Sequence, residues 1–193
     1  MLSNMTDKYK LATYFKNPFV VFYSFLRILA GIFIPFNLVW GFVVTLFLDA
    51  LDGPLFEQID NLVGMPMSVY MRWDKYLDWW GYVFMYLTSL NFGFNWILVA
   101  SLLFRLVGQL LFEKTKKHHI FVFFPNFFEA FFLWYVVFAI INFSPKPYWL
   151  VIIVVVYWIR EVLLHIYWPN RLRKYGYPKW QIKYFGVRKD FIE

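Results

Sequence analysis

Leu38-Val39-Trp40-Gly41-Phe42-Val43-Val44-Thr45-Leu46-Phe47-Leu48-Asp49-Ala50-Leu51-Asp52 is an apolar run that closes on two carboxylates three residues apart. A second stretch answers it: Asp74-Lys75-Tyr76-Leu77-Asp78 opens the next apolar run with carboxylates four residues apart. On a helix, residues three or four apart share a face, so each pair presents both carboxylates in one direction. Carboxylates are among the costliest groups to place near hydrocarbon, and four of them at the edges of apolar helices point to a use. Two such pairs facing each other make an oxygen-rich cage of the kind that hard divalent cations prefer.

Working outward, composition supports a membrane setting. Of 193 residues, 61% are hydrophobic and 25% aromatic, with only 16% charged. A soluble domain is about half apolar and about a quarter charged. The first sixteen residues mix Asp7, Lys8, Lys10 and Lys16 with apolar positions and do not read as a cleavable signal peptide. With no cysteine, disulfides and thiolate metal sites are excluded.

Six apolar spans can be drawn: 19–35, 36–52, 75–90, 94–112, 120–143 and 148–168, the first two near the lower end of the ~17–25 residues that cross a bilayer. Turn residues at Pro35-Phe36-Asn37, Asn91-Phe92-Gly93 and Ser144-Pro145-Lys146-Pro147 make tight links, which favour a compact antiparallel bundle. The expected fold is therefore an all-α integral membrane protein. It divides into an interfacial amphipathic segment at 1–17, a six-helix transmembrane domain at 18–168 and a basic tail at 169–193. In the long connection from Gly53 to Trp73, Pro66 argues against a continuous helix and for an extra turn or bulge near Gly64-Met65-Pro66.

Basic residues set the orientation. Lys8, Lys10, Lys16, Arg72, Lys75, Lys114, Lys116, Lys117 and the seven basic residues between Arg171 and Lys189 fall on one side, and only Lys146 on the other. By the positive-inside rule both termini and the acidic pairs face the cytoplasm, in the plasma membrane. The net charge of +7 then reflects topology and attraction to anionic lipid, and no nucleic-acid surface is read from it. Trp79-Trp80, Trp149, Trp158, Tyr167 and Trp168 suit interfacial belts, and His118, His119 and His165 read as interfacial residues.

Asp49-Ala50-Leu51-Asp52-Gly53 followed by Asp74-Lys75-Tyr76-Leu77-Asp78 resembles the signature of the CDP-alcohol phosphatidyltransferases. That family's pattern is Asp-x2-Asp-Gly-x2-Ala-Arg, then eight or nine residues, then Gly-x3-Asp-x3-Asp. Asn17-Pro18 with Arg27 is similar to the Asn-x2-Thr-x2-Arg stretch of the family's first span. The chain departs at Phe56-Glu57, where the family has Ala-Arg, and at Tyr70, where it has glycine. Its interval from Asp52 to Asp74 is longer by about one helical turn.

The resemblance implies transfer of a phosphatidyl group from a CDP-activated lipid to a small hydroxyl acceptor, with release of CMP. It implies a two-metal site of Mg²⁺ or Mn²⁺, with Asp49, Asp52, Asp74 and Asp78 as ligands, and a homodimer. Asp78 would also act as general base on the acceptor hydroxyl, and Asp52 and Gly53 would contact the nucleotide. Two cations about 3.5–4 Å apart neutralise a diphosphate and stabilise both the attacking and the leaving oxygen. Arg72, Arg105 and Arg160 are candidates for binding acceptor or lipid phosphate, since a guanidinium matches phosphate oxygens in a fork. The alternative is a non-catalytic or transport-like bundle that keeps the acidic cluster for cation or lipid binding. Arg27 and Glu129, both inside spans, have no assigned role at this level.

Overall fold

The computed structural model describes residues 11–58, 65, 67–93, 95–115, 117, 119–144, 146–167, 170–171 and 174, with the side chains of 53–58, 67 and 68 left aside. Every regular element among them is helical. A short turn α1 (Leu11–Tyr14) precedes α2 (Pro18–Phe33), α3 (Leu38–Gln58), α4 (Met67–Ser89) and α5 (Trp96–Thr115). Next come α6 (Ile120–Phe123) and α7 (Phe127–Phe132), which runs through a π-helical turn (Leu133–Val137) into α8 (Phe138–Ile140). The last helix, α9 (Pro147–Val162), ends in a second π-helical turn, Leu163–Tyr167. Three segments, Trp96–Thr115, Ile120–Ile140 and Pro147–Tyr167, are long and apolar enough to cross a membrane, and α2 is a shorter apolar helix.

Local sequence starts these helices. Asn17 accepts a hydrogen bond from the Phe19 N–H at 2.9 Å, and Pro18 fills the first helical position, where its missing donor costs nothing. Asn95 accepts from the Ile97 N–H at 2.9 Å ahead of α5, and Pro147 opens α9. The turn between α2 and α3 is tight enough to need Gly41. A Cβ there would lie 2.6 Å from the Ile34 Cα and 2.7 Å from its nitrogen.

Three sequence expectations change. The second helix does not stop at Asp52 but continues through Gly53 and Pro54 to Gln58. An interior proline forgoes the hydrogen bond to the carbonyl four residues back, here Ala50, and crowds it, at a cost of about 3 kcal/mol or more. The third helix begins at Met67 rather than Lys75, so no acidic residue occupies its first turn and the helix dipole does not account for Asp74. Both acidic pairs therefore lie within helices, not at their edges. The fifth apolar run is broken at Phe124-Pro125-Asn126, where Phe124 has ψ 61° and Asn126 caps the restart by accepting from the Glu129 N–H. The expected turn or bulge at Gly64-Met65-Pro66 falls mostly outside the described residues; Met65 is fully buried.

The bundle exposes a largely apolar surface and buries a layer of charged residues within its core. Phe22 and Phe25 on α2 are 57% and 55% exposed, while Arg27 between them and Ala30 is 5% exposed. On α9, Val151 and Val156 face outward and Glu161 is buried. Exposed apolar helices around buried charges invert the soluble pattern and suit a hydrocarbon surround. Inside, two apolar clusters form. One gathers Val20, Tyr23, Tyr70, Trp73, Phe112 and Phe121, and the other Ile34, Phe42, Tyr82, Met85, Leu98 and Phe132. Along α2 and α4 the charged residues lie between members of the two clusters: Val20 then Arg27 then Ile34, and Trp73 then Asp74 and Asp78 then Tyr82. On α5 the clusters come in the reverse order, Leu98 then Arg105 then Phe112, with the charge again between them. A charged layer thus separates two apolar ones.

Candidate metal and phosphate site

Four aspartates converge on one guanidinium. Arg27 Nη2 donates to Asp49 at 2.8 Å and to Asp78 at 2.6 Å, while Nη1 donates to Asp74 at 2.8 Å and to Asp52. Position on α2 makes this reach possible, because that helix packs against both α3 and α4. The Tyr23 hydroxyl donates to the Leu48 carbonyl at 2.7 Å, tying α2 to α3. On α4, Trp73 Nε1 donates to Ser24 Oγ at 2.8 Å, and its ring lies 5.9 Å from the guanidinium.

Three further donors complete the cluster. Lys75 Nζ reaches Asp74 at 2.6 Å and Asp78 at 2.9 Å. The Tyr70 hydroxyl donates to Asp52 at 2.6 Å, and Arg160 Nη2 to Asp49 at 2.8 Å. Each of the eight aspartate oxygens accepts one of these bonds. Buried carboxylates are tolerated when paired and hydrogen-bonded in this way.

A second layer adjoins the first. Arg105 Nη1 donates at 2.8 Å to the Phe124 carbonyl, an acceptor exposed by the helix break, and lies 3.6 Å from Glu161. Its guanidinium stacks 4.5 Å from the Phe121 ring. Gly108 permits the close approach of α5 to that break, since a Cβ there would meet Phe124 at 2.5 Å. His165, in the second π-helical turn, is 3.0 Å from Glu161. Arg160 joins the layers, bonded to Asp49 and lying 3.8 Å from Glu129 and 3.9 Å from Glu161.

Asp49, Asp52, Asp74 and Asp78 are thus brought together, and Arg160 joins them. Arg105 sits in the adjoining layer and touches none of the aspartates among its recorded contacts. Arg72 stands apart, 3.3 Å from Glu113 and 3.4 Å from the Tyr76 hydroxyl. Gly53 follows Asp52 inside α3. Asp60 and the side chain of Glu57, two further acids between Asp52 and Asp74 in the sequence, fall outside the described residues. Two contributors were missed in the sequence. Arg27 is the hub, signalled by being a charge in the middle of an apolar helix and by its place in the Asn-x2-Thr-x2-Arg resemblance, but with no role assigned to it. Tyr70, read as a missing glycine, supplies the hydroxyl that holds Asp52.

Carboxylate oxygens of Asp49, Asp74 and Asp78 lie within 4.8 Å of one another, close enough to bind one metal ion. The donor set is all oxygen, which fits a hard divalent cation. Asp52, held by Tyr70 and Arg27, is not in that set. Beside the set, a cavity is lined by Arg27, Thr45, Asp49, Asp78, Tyr82 and Glu129. No protein-family model, curated protein or solved structure matches the chain.

Proposed function

We propose that the chain is a membrane-embedded transferase that moves a phosphatidyl group from a CDP-activated lipid to a small alcohol, releasing CMP. The observation that carries this reading is the convergence of Asp49, Asp52, Asp74 and Asp78, from two helices, inside an apolar bundle beside Arg27, Lys75 and Arg160. Carboxylates can hold Mg²⁺ or Mn²⁺, and the neighbouring cations can meet phosphate oxygens.

Asp49, Asp74 and Asp78 would hold the metal. When bound, it would neutralise charge on the diphosphate and leaving CMP. Asp78 accepts the proton of the acceptor hydroxyl as that oxygen bonds to phosphorus and the bond to CMP breaks. Lys75, 2.9 Å from Asp78, is placed to stabilise whichever carboxylate remains charged. Asp52, fixed by Tyr70, and Gly53 would stand toward the nucleotide, with Arg105 and Arg160 toward acceptor or lipid phosphate. Six helical segments would span the plasma membrane with both termini in the cytoplasm. The segment 1–17 would lie at the interface, the site would open to the cytoplasm, and two chains would form a homodimer.

A second reading has its own observation. Because every aspartate oxygen already accepts a hydrogen bond from Arg27, Lys75, Tyr70 or Arg160, the cluster also suits a non-catalytic bundle locked by an internal ion network. One assay separates the two. Purified protein in lipid nanodiscs is given CDP-diacylglycerol, Mg²⁺ or Mn²⁺, and glycerol 3-phosphate, inositol phosphate or serine. Divalent-dependent CMP release supports the transferase, and no release with any acceptor supports the bundle.

A further inference from the structure

The aspartate cluster carries its own cation. Arg27 is 5% exposed and donates to one oxygen, Oδ1, of each of Asp49, Asp74 and Asp78, the three aspartates close enough to share a metal ion. The other oxygen of each is bonded by Lys75 or Arg160. A dication drawn to these three carboxylates therefore meets a positive group at every oxygen, and like charges so close repel. Freeing one oxygen on all three takes the movement of Arg27 alone, whereas freeing the other set takes Lys75 and Arg160 together. Arg27 also has a carboxylate to fall back on. Its Nη1 bonds Asp52, which lies outside the three-aspartate set, is buried, and is fixed by the Tyr70 hydroxyl at 2.6 Å.

We infer that Arg27 is a tethered plug, which closes the aspartate site against divalent cations and opens it by withdrawing onto Asp52. This rests on the metal-dependent reading above and adds the regulation of that same site. Asp52 then acts on the metal at one remove, as a positioning residue that receives the displaced guanidinium, and Tyr70 keeps it in place to do so. Because the plug comes from α2 and the aspartates from α3 and α4, the packing of these helices sets how firmly the site is shut.

The test is Mn²⁺ titration of the full chain in nanodiscs, read by electron paramagnetic resonance, with CMP release measured on wild type. Arg27→Met should bind Mn²⁺ roughly 10–1000-fold more tightly than wild type, the span by which a neighbouring guanidinium weakens a carboxylate's hold on a proton. Arg72→Met removes the same charge away from the cluster, beside Glu113, and should bind as wild type. Asp52→Asn should weaken binding while Arg27 is present and change it far less in the Arg27→Met background, whereas a metal ligand would matter equally in both. If Arg27→Met does not fold, Arg27→Lys, which keeps the charge but gives up the fork, takes its place and should also bind more tightly than wild type. Binding no tighter than wild type in the folded Arg27 variant, or an Asp52→Asn loss that persists without Arg27, overturns the inference. Mn²⁺-dependent CMP release by wild type then leaves the transferase standing. Tighter binding in the Arg27 variant with no CMP released by wild type upholds the plug and removes the transferase. No Mn²⁺ bound by wild type or variant and no CMP released overturns both.

Discussion

Arg27→Met is the most informative single change. Methionine keeps much of the length and apolar stem but removes the group that donates to four of the eight aspartate oxygens. The aspartate cluster then holds four carboxylates against Lys75 and Arg160 alone. Deleting one partner of a buried ion pair costs about 3–5 kcal/mol, because the remaining charge is stranded. Four carboxylates share the loss here, which places the expected cost at the upper end of that range. Asp52→Asn alone should be milder, since Tyr70 can still donate to its side-chain oxygen. Combined with Arg27→Met it should recover part of the loss, with a coupling of about 1–3 kcal/mol. The measurement is reversible unfolding in mixed micelles for wild type, both singles and the double variant. Wild-type stability in Arg27→Met, or strict additivity in the double, would refute the hub assignment. Added Mg²⁺ should restore part of the Arg27→Met stability, as it replaces the lost positive charge, and metal-independent melting would count against this.

Other expected outcomes are as direct. Tyr70→Phe removes the Asp52 donor without changing shape and should cost about 1–3 kcal/mol, read from the same unfolding assay. Gly41→Ala forces a Cβ into the Ile34 backbone and should cost about 1–3 kcal/mol or more, whereas Gly93→Ala, with open space around it, should cost only its backbone strain at φ 94°. Asp78→Asn should abolish CMP release while the chain remains folded, and near-normal turnover would remove Asp78 from the role of base.

How much was readable beforehand depended on the kind of signal. Helical class and the apolar segments were legible because long apolar runs declare themselves, and the tight links were marked by Asn, Gly and Pro. Helix ends were not. Gly53-Pro54 reads as a stop but is carried through, and Met67 to Trp73 reads as loop because its aromatics and Arg72 break the apolar pattern. The break at Pro125 had a visible proline that the Phe-rich surroundings masked. The aspartates were legible because their spacing fits one helix face. Their partners were not, because Arg27 lies 22 residues before Asp49, and Arg160 bonds Asp49 from 111 residues away. Nothing local in the sequence encodes such a meeting.

The guanidinium at the centre also bears on how the chain is assembled. Alone in hydrocarbon, α2 would carry a lone arginine, α3 two aspartates and α4 two aspartates beside a lysine. Each such charge at mid-helix costs about 2.5–3.5 kcal/mol on insertion scales. Only when the three helices meet are these charges satisfied, so none is a stable passenger by itself. Sliding one helix past another by a single turn, about 5.4 Å, would break the same bonds. The shared ion network therefore couples α2, α3 and α4 to one another and fixes their register as one cooperative unit. The same holds for α5 and α9, whose buried Arg105 and Glu161 lie 3.6 Å apart and satisfy one another only when those helices meet.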